Sequence, residues 1–128
     1  MRGTLPHGVA VPLHSHAEAE SFYMLGGTLD VYQDDGKSSG WSQAGLGDLV
    51  VIRGSVKHAW RNSSLEPAVA VVFTGGKVCG FLQEIVRPWD PVQPPPPSPE
   101  YLDHLVRASR KYDYWLATLE ENAAIGLG

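Results

Sequence analysis

His14 and His16 stand one residue apart in "GVAVPLHSHAEAESFYMLGG", residues 8–27, with Glu18 and Glu20 close behind them. Imidazole nitrogens and carboxylate oxygens suit borderline divalent metals such as Fe, Mn, Ni, Zn or Cu. The surrounding residues read as strand, and in a strand residues two apart share a face. His14 and His16 therefore point the same way. Glu18 and Glu20 have the same parity; Glu18 is nearer, and a bend can intervene before Glu20. The pair has two readings, ligands of a metal ion or ordinary histidines at a strand end, and a metal would want one more ligand from elsewhere. The segment "GDLVVIRGSVKHAWRN", residues 47–62, offers His58 in a strand-like context after a turn. His7 and His104 lack such company and read as surface or satisfied core residues.

The elements that must position these groups are short. From residue 8 to about residue 86 the chain runs "GVAVPLH", "SFYML", "TLDVYQ", "GDLVVI", "KHAWRN", "PAVAVVFT" and "VCGFLQEIV", punctuated by glycine-rich turns. Many short strands without an intervening period-3.6 segment predict an antiparallel sandwich or barrel. "QDDGKSSG", residues 33–40, is a polar loop between strands, and Gly26 and Gly27 mark a turn or bend. Composition changes at "RPWDPVQPPPPSPE", where proline prevents both a sheet ladder and a helix interior, so residues 88–99 form an extended connector. Ser98 as N-cap, Pro99 at the first helical position and Glu100 then start a helix. Its predicted packing face is Leu102, Leu105, Val106, Ser109, Tyr112 and Leu116, with Asp103, Arg107, Arg110 and Lys111 in water. "TLEE" at Thr118–Glu121 matches a capping box and predicts a second short helix.

The bulk properties narrow the partners. A chain of 128 residues can close one hydrophobic core, giving a barrel over residues 1–87 and a helical segment over 100–128 that packs on it or on a partner subunit. A net charge of −4, with scattered Lys and Arg, argues against nucleic acid and against an anionic membrane surface. The longest apolar run, "AVAVVF", is far short of the roughly 20 residues of a membrane helix. With no apolar leader at the start, a cytoplasmic protein is expected. The single cysteine, Cys79, excludes an internal disulfide and reads as a small apolar side chain.

The two histidine segments resemble the paired signatures of the cupin superfamily. In the first, Gly8, His14, His16, Glu20 and Gly27 are separated by five, one, three and six residues. In the second, Gly47, His58 and Asn62 fall at the family's spacing, but Arg53 stands where proline is usual and Ser55 where glycine is usual. Residues 28–46 form a short spacer, and the resemblance covers roughly residues 3–86. It implies an all-β double-stranded β-helix, or jelly-roll, barrel with a C-terminal helical extension. It further implies one divalent transition metal per chain, held by His14, His16, Glu20 and His58, and so selects Glu20 over Glu18. Glu20 would also shuttle a proton.

Parity places Phe22 and Met24 on the face of Glu20, and Val56 and Trp60 on that of His58. These four residues are the expected wall of an apolar substrate pocket, and each would equally fill a small barrel's core. Tyr23 has the opposite parity and should point away. The resemblance implies a metal-dependent enzyme acting on a small organic substrate, of the quercetin dioxygenase-like type. The alternatives are a metal-dependent isomerase, decarboxylase or lyase, and a non-catalytic binding or sensing cupin. Only seven residues precede Gly8, which leaves little room for a first strand. Cupins are commonly dimers, so a homodimer in which a partner's segment completes the sheet is expected.

Overall fold

Short runs of β-branched and aromatic residues give two facing antiparallel sheets. The computed structural model describes residues 1–85 and 98–128. Its strands are β1 (Arg2–Leu5), β2 (Ala10–Ser15), β3 (Glu20–Gly26), β4 (Leu29–Asp34), β5 (Ser39–Ala44), β6 (Leu49–Ile52), β7 (Lys57–Arg61), β8 (Ala68–Thr74) and β9 (Trp115–Leu116). The helices are α1 (Gly76–Ile85), α2 (Pro99–Lys111) and α3 (Leu119–Ala124). One sheet has the order β1-β8-β3-β6 and the other β5-β4-β7-β2-β9. They form the expected jelly-roll barrel, with the helical part after it. Most of the proline-rich connector lies outside the described residues; only Ser98 and Pro99 are seen, opening α2.

The barrel interior is filled by Phe22, Met24, Leu29, Val31, Ala44, Ile52 and Ala68. The five-stranded sheet is covered on its other face as well. Consecutive residues are buried in three neighbouring strands, Leu13 with His14, Val31 with Tyr32 and His58 with Ala59. Since neighbours in a strand point oppositely, one of each pair faces the barrel and the other faces outward. The outward set, Leu13, Tyr32 and Ala59, packs under Trp41, Trp115, Ala117, Ile125 and Leu127. The C-terminal segment thus gives this sheet a second core.

Four expectations are corrected. A first strand does exist: β1 pairs with β8 in the same chain, so no partner's segment is needed to complete the sheet. The polar stretch at residues 33–40 is a loop between strands only at 35–38; its two ends belong to β4 and β5. β4 pairs with β5 from Leu29↔Ala44 to Asp34↔Ser39, and the turn itself is tightened by Asp35, whose carboxylate accepts from the N–H groups of Lys37 and Ser38. The run "VCGFLQEIV" is helical through Ile85. Val78 and Phe81, three apart, bury one face of α1, and its first N–H groups are satisfied by a carboxylate. Lastly, α2 turns inward only part of the expected face: Leu105, Ser109 and Tyr112 are covered or half-covered as expected, and the rest of that face is not. Ser98 caps it as expected, but Ala108 and Ser109 are its buried residues, Leu102 and Val106 are exposed, and Leu116 lies beyond it in β9. Close packing on α1 holds it there: a Cβ on Gly80 would lie 2.9 Å from the Tyr112 ring, and Tyr101 Oη, outside the expected face, donates to Ile85 O at 2.9 Å. The capping box at Thr118 and Glu121 is present and opens α3.

Asn62, the last residue of the second histidine segment, fastens the barrel rather than lining the site. Its buried Nδ2 donates to Leu5 O and Glu66 O, at 3.0 and 2.6 Å, and its Oδ1 accepts from Ser64 N and Oγ. An apolar replacement strands two carbonyls, each at roughly 1–3 kcal/mol. Asn62→Leu is therefore expected to lower the unfolding free energy by about 2 kcal/mol or more in urea titration, with no change in the denaturant slope.

Candidate metal centre

Two adjacent strands bring the histidines together. β2 and β7 pair so that His14 lies directly across from His58, with ring centroids 4.2 Å apart. His16 follows on the same face as His14, its ring 4.9 Å from that of His58. Between Val11 and His14 the ladder shifts register, a bulge at Pro12, which has no N–H to pair. The freed groups are all used. Pro12 O accepts from His14 Nδ1 at 2.8 Å, Leu13 N donates to Asn122 Oδ1, and Leu13 O accepts from Ala117 N.

The same device fixes each imidazole. His16 Nδ1 donates to Glu18 O and His58 Nδ1 to Val56 O, both at 2.8 Å. A carbonyl only accepts, so every Nδ1 carries its proton and every Nε2 is left as a free lone pair. The three histidines offer ligand atoms that all lie within 4.8 Å of one another, so they can hold a metal ion. Glu20 approaches two of the three from β3, its Oε2 3.1 Å from His16 Nε2 and 3.4 Å from His58 Nε2. Two acceptors at such distances repel unless a cation or proton stands between them. The buried His58 Nε2 has no hydrogen-bond partner. A divalent ion would satisfy both deficits, and the donor set of three imidazoles and one carboxylate suits a borderline transition metal.

Electrostatics prepare these groups. Burial, and then the neighbouring His58, pushes the His14 imidazole down to about 3, so it is neutral and needs no deprotonation to bind. Burial opposes ionisation of Glu20, but the facing imidazoles of His16 and His58 outweigh it and hold the carboxyl below its ordinary value. Glu20 stays an anion.

The turn before His58 keeps its shape despite its unusual residues. Ser55 adopts φ 66°, the left-handed conformation in which glycine is unstrained, and its N–H donates to His16 O at 2.8 Å. A Cβ on Gly54 would fall 2.3 Å from Ala17 O. The turn therefore presses against the strand end that carries His16, and Arg53 at the proline position does not prevent it.

Glu18 is outside the ligand cluster and has another task. Its carboxylate accepts from Val78 N and Lys77 N, at 3.1 and 3.2 Å, capping α1 from a distant part of the chain. Those N–H groups, Val78 first, hold its carboxyl below the ordinary value. Phe22 and Met24 lie in the closed core, while Val56 and Trp60 are partly buried against it. Tyr23 points outward, as parity requires. A cleft of about 260 Å³ lined by Met1, Val72, Phe73, Thr74, Cys79 and Leu82 does not include the histidines.

Tyr114 was not foreseen. Its ring lies parallel to that of His14, 5.6 Å away, and 4.9 Å from His16, with Phe81 of α1 behind it at 4.2 Å. Asp113, at φ 59°, reverses the chain after α2, and β9 then pairs with β2 through Ser15↔Trp115 and His14↔Leu116. Nearly a hundred residues separate Tyr114 from His14, so local periodicity gave no signal. The one available hint was an aspartate, tolerant of left-handed backbone, between a helix end and an aromatic pair.

The class these features define is a jelly-roll protein with a metal-capable histidine triad in the barrel. The chain belongs to the cupin family: the cupin domain model matches residues 1–74. No curated protein matches it. Among solved structures it is similar to oxalate decarboxylase from B. subtilis, with 31% identity and TM-score 0.52 over 59% of this chain and 20% of that one. It is similar to the DMSP lyase DddQ from Ruegeria pomeroyi DSS-3, with 27% identity and TM-score 0.50 over 59% of this chain and 36% of that one. It is also similar to a predicted oxalate decarboxylase from Thermotoga maritima, with 26% identity and TM-score 0.50 over 57% and 61%. In each case the match spans less than two thirds of the other chain.

The His14 shift sets a pH dependence. Its folded value, about 3, is below the usual 6.5, so between those limits the unfolded chain binds a proton that the folded chain refuses. Stability of metal-free protein should fall as pH drops through that window, and further below about 4.5 as Glu20 is protonated. Urea titrations from pH 7 to 4 should show this slope, and His14→Asn should flatten it; an equal slope in that variant counts against the assignment.

Proposed function

We propose that this cupin binds one divalent transition metal per chain through His14, His16, His58 and Glu20 and is an enzyme acting on a small organic substrate. The observation that carries this reading is the convergence of three imidazoles whose Nδ1 protons are all committed to backbone carbonyls, with a buried anion beside them. Three histidines and one carboxylate leave positions open on a five- or six-coordinate ion, the feature that separates a reactive centre from a closed one. Such an ion supplies Lewis acidity or, if redox-active, a meeting point for substrate and dioxygen. The chain's own residues do the rest. His14 stays neutral, Glu20 can take or return a proton at Oε2, Tyr114 shields the ring faces of the histidines, and Phe22, Met24, Val56 and Trp60 supply apolar walls.

Dioxygenase-type chemistry is the first reading. The second, a metal-dependent decarboxylase or lyase, draws support from the names of the similar structures. A sensing cupin that binds without turnover is the third. Elemental analysis of protein purified without chelator or nickel resin is expected to find close to one equivalent of metal; under about 0.1 equivalents with no uptake on titration would sink the metal assignment. His58→Ala removes a direct ligand and should cost more than the roughly 10–100-fold in affinity typical of outer partners. Reconstituted protein is then screened with catechol, flavonol, diketone and small-acid substrates in air and without oxygen. Compound-dependent oxygen uptake supports the first reading, and turnover undiminished without oxygen supports the second. Binding without turnover supports the third.

We further propose a homodimer, now on different grounds from a missing strand. The outer face of the four-stranded sheet exposes Tyr23, Leu25, Leu49, Val51 and Phe73, and Ser21 pairs with both Val51 and Phe73, so these side chains lie on neighbouring strands. An apolar patch of this kind marks an interaction surface. Among the described residues no helix is long and apolar enough to cross a membrane. Light scattering at micromolar concentration should give twice the 13.9 kDa chain mass, and a monomeric mass would refute the dimer.

A further inference from the structure

The short helix α3 buries one of its six residues, and that residue is polar: Asn122, 6% exposed. An asparagine inside a helix is a poor helix former, and a buried amide is costly unless all its groups are paired. Those of Asn122 are. Its backbone N–H and its Nδ2 both donate to Thr118 O, at 3.0 and 2.9 Å, and its own carbonyl accepts from Leu127 N at 2.9 Å. With Nδ2 turned to a carbonyl, the atom facing Leu13 N must be Oδ1, because that N–H only donates. The bond is 2.8 Å long, buried, and joins residues 109 apart in sequence.

The N–H of Leu13 and the C=O of Pro12 are the two sides of one peptide unit, which is planar and turns as a body. Its carbonyl accepts from His14 Nδ1 at 2.8 Å, and its N–H donates to Asn122 Oδ1. A single rigid plate, with one hydrogen bond on each side, therefore connects Asn122 to the His14 imidazole. The next peptide is held from the same direction, since Leu13 O accepts from Ala117 N at 3.0 Å. Where the β2–β7 ladder shifts register, between Val11 and His14, the C-terminal segment takes over the anchoring. Hydrogen bonds in series polarise one another, so an acceptor behind the peptide makes the carbonyl in front of it a stronger acceptor for His14.

We infer that Asn122 is a positioning residue of the metal centre: through the Pro12–Leu13 peptide it fixes the ring of His14 and raises the basicity of the Nε2 lone pair offered to the ion. This inference rests on the metal reading above and extends the centre to α3, which lies outside residues 1–74 that match the cupin model. Partners behind a metal-bound histidine commonly set its ring orientation and ligand strength in this way. Without the Asn122 acceptor the plate is held on one side alone, and the His14 ring is free to turn with it.

The test titrates the full chain with cobalt(II), follows its visible absorption, and measures urea unfolding alongside. Asn122→Leu keeps the side-chain size but no acceptor; it should bind cobalt roughly tenfold more weakly or worse, in the range typical of outer partners, and shift the absorption bands. Asn122→Asp keeps an oxygen for Leu13 N and loses the donor to Thr118 O, so it should lose stability yet retain wild-type cobalt affinity and bands. A helix that only packs would lower stability in both variants and leave the cobalt affinity of the folded protein alone. Unchanged affinity and bands in folded Asn122→Leu, or an equal loss in Asn122→Asp, would overturn the inference while leaving the metal reading intact. Failure of wild-type protein to take up cobalt would instead overturn the metal reading, and this inference with it. A second measurement needs no variant. In wild-type protein the scalar coupling across the hydrogen bond, between the Leu13 amide nitrogen and the Asn122 side-chain carbonyl carbon, should grow on zinc binding. The bound ion makes His14 Nδ1–H a stronger donor, and the shared peptide passes this on to Leu13 N–H. A coupling that is the same with and without zinc would also overturn the inference.

Discussion

Everything at the centre depends on three short hydrogen bonds from imidazole to backbone. Each histidine is held by a carbonyl two residues away, that of Pro12, Glu18 or Val56. This local tether sets both the ring's orientation and the proton's position, so that three lone pairs meet in a dry interior. Free rings would rotate to satisfy themselves, and the gathering of unpaired nitrogens beside Glu20 would be lost. The tethers need carbonyls that a regular ladder would consume. A bulge at a proline supplies one, and the turn around Gly54 and Ser55 braces the strand end that carries another. Irregular backbone is therefore concentrated around the histidine cluster, a common use of bulges.

The C-terminal segment completes what the barrel begins. It lies outside the residues that match the family model, yet it covers the outer face of the histidine-bearing sheet and contributes its last strand. Asn122 takes the N–H that the bulge leaves over, and Tyr114 lies against two of the histidines. Core packing on one face of the sheet and site architecture on the other are thus joined through β2. Glu18 adds a second join, because the residue whose carbonyl orients His16 also caps α1, and α1 backs Tyr114 with Phe81.

The sequence made His14, His16, Glu20 and His58 legible because they sit at fixed spacing within two short segments, and strand parity is a short-range rule. Glu20, Phe22 and Met24 alternate inward as parity requires, and Tyr23 alternates outward. Local chemistry was equally readable in the caps at Ser98 and Thr118. Elements decided by distant partners were not. α1 looked like strand because its valine, isoleucine and phenylalanine suit either state, and a remote glutamate settles the matter. β1 is a four-residue strand that exists only because β8 lies beside it. The stripe of α2 was right at Leu105, Ser109 and Tyr112, but the burial of Ala108 and the exposure of Leu102 and Val106 follow from how the helix lies on α1. Tyr114 depended on a chain reversal and on a two-residue strand, both too short to leave a periodic trace.

The pairing of β9 with β2 has a kinetic side. It closes a loop of about a hundred residues, and contacts so far apart in sequence form late, after the local hairpins that reward folding early. The histidine cluster can assemble once β7 has found β2, well before Tyr114 arrives. A nascent or partly folded barrel would thus pass through a stage in which the ligands are gathered but their aromatic cover is missing, and in that interval the centre is open to ions from solution.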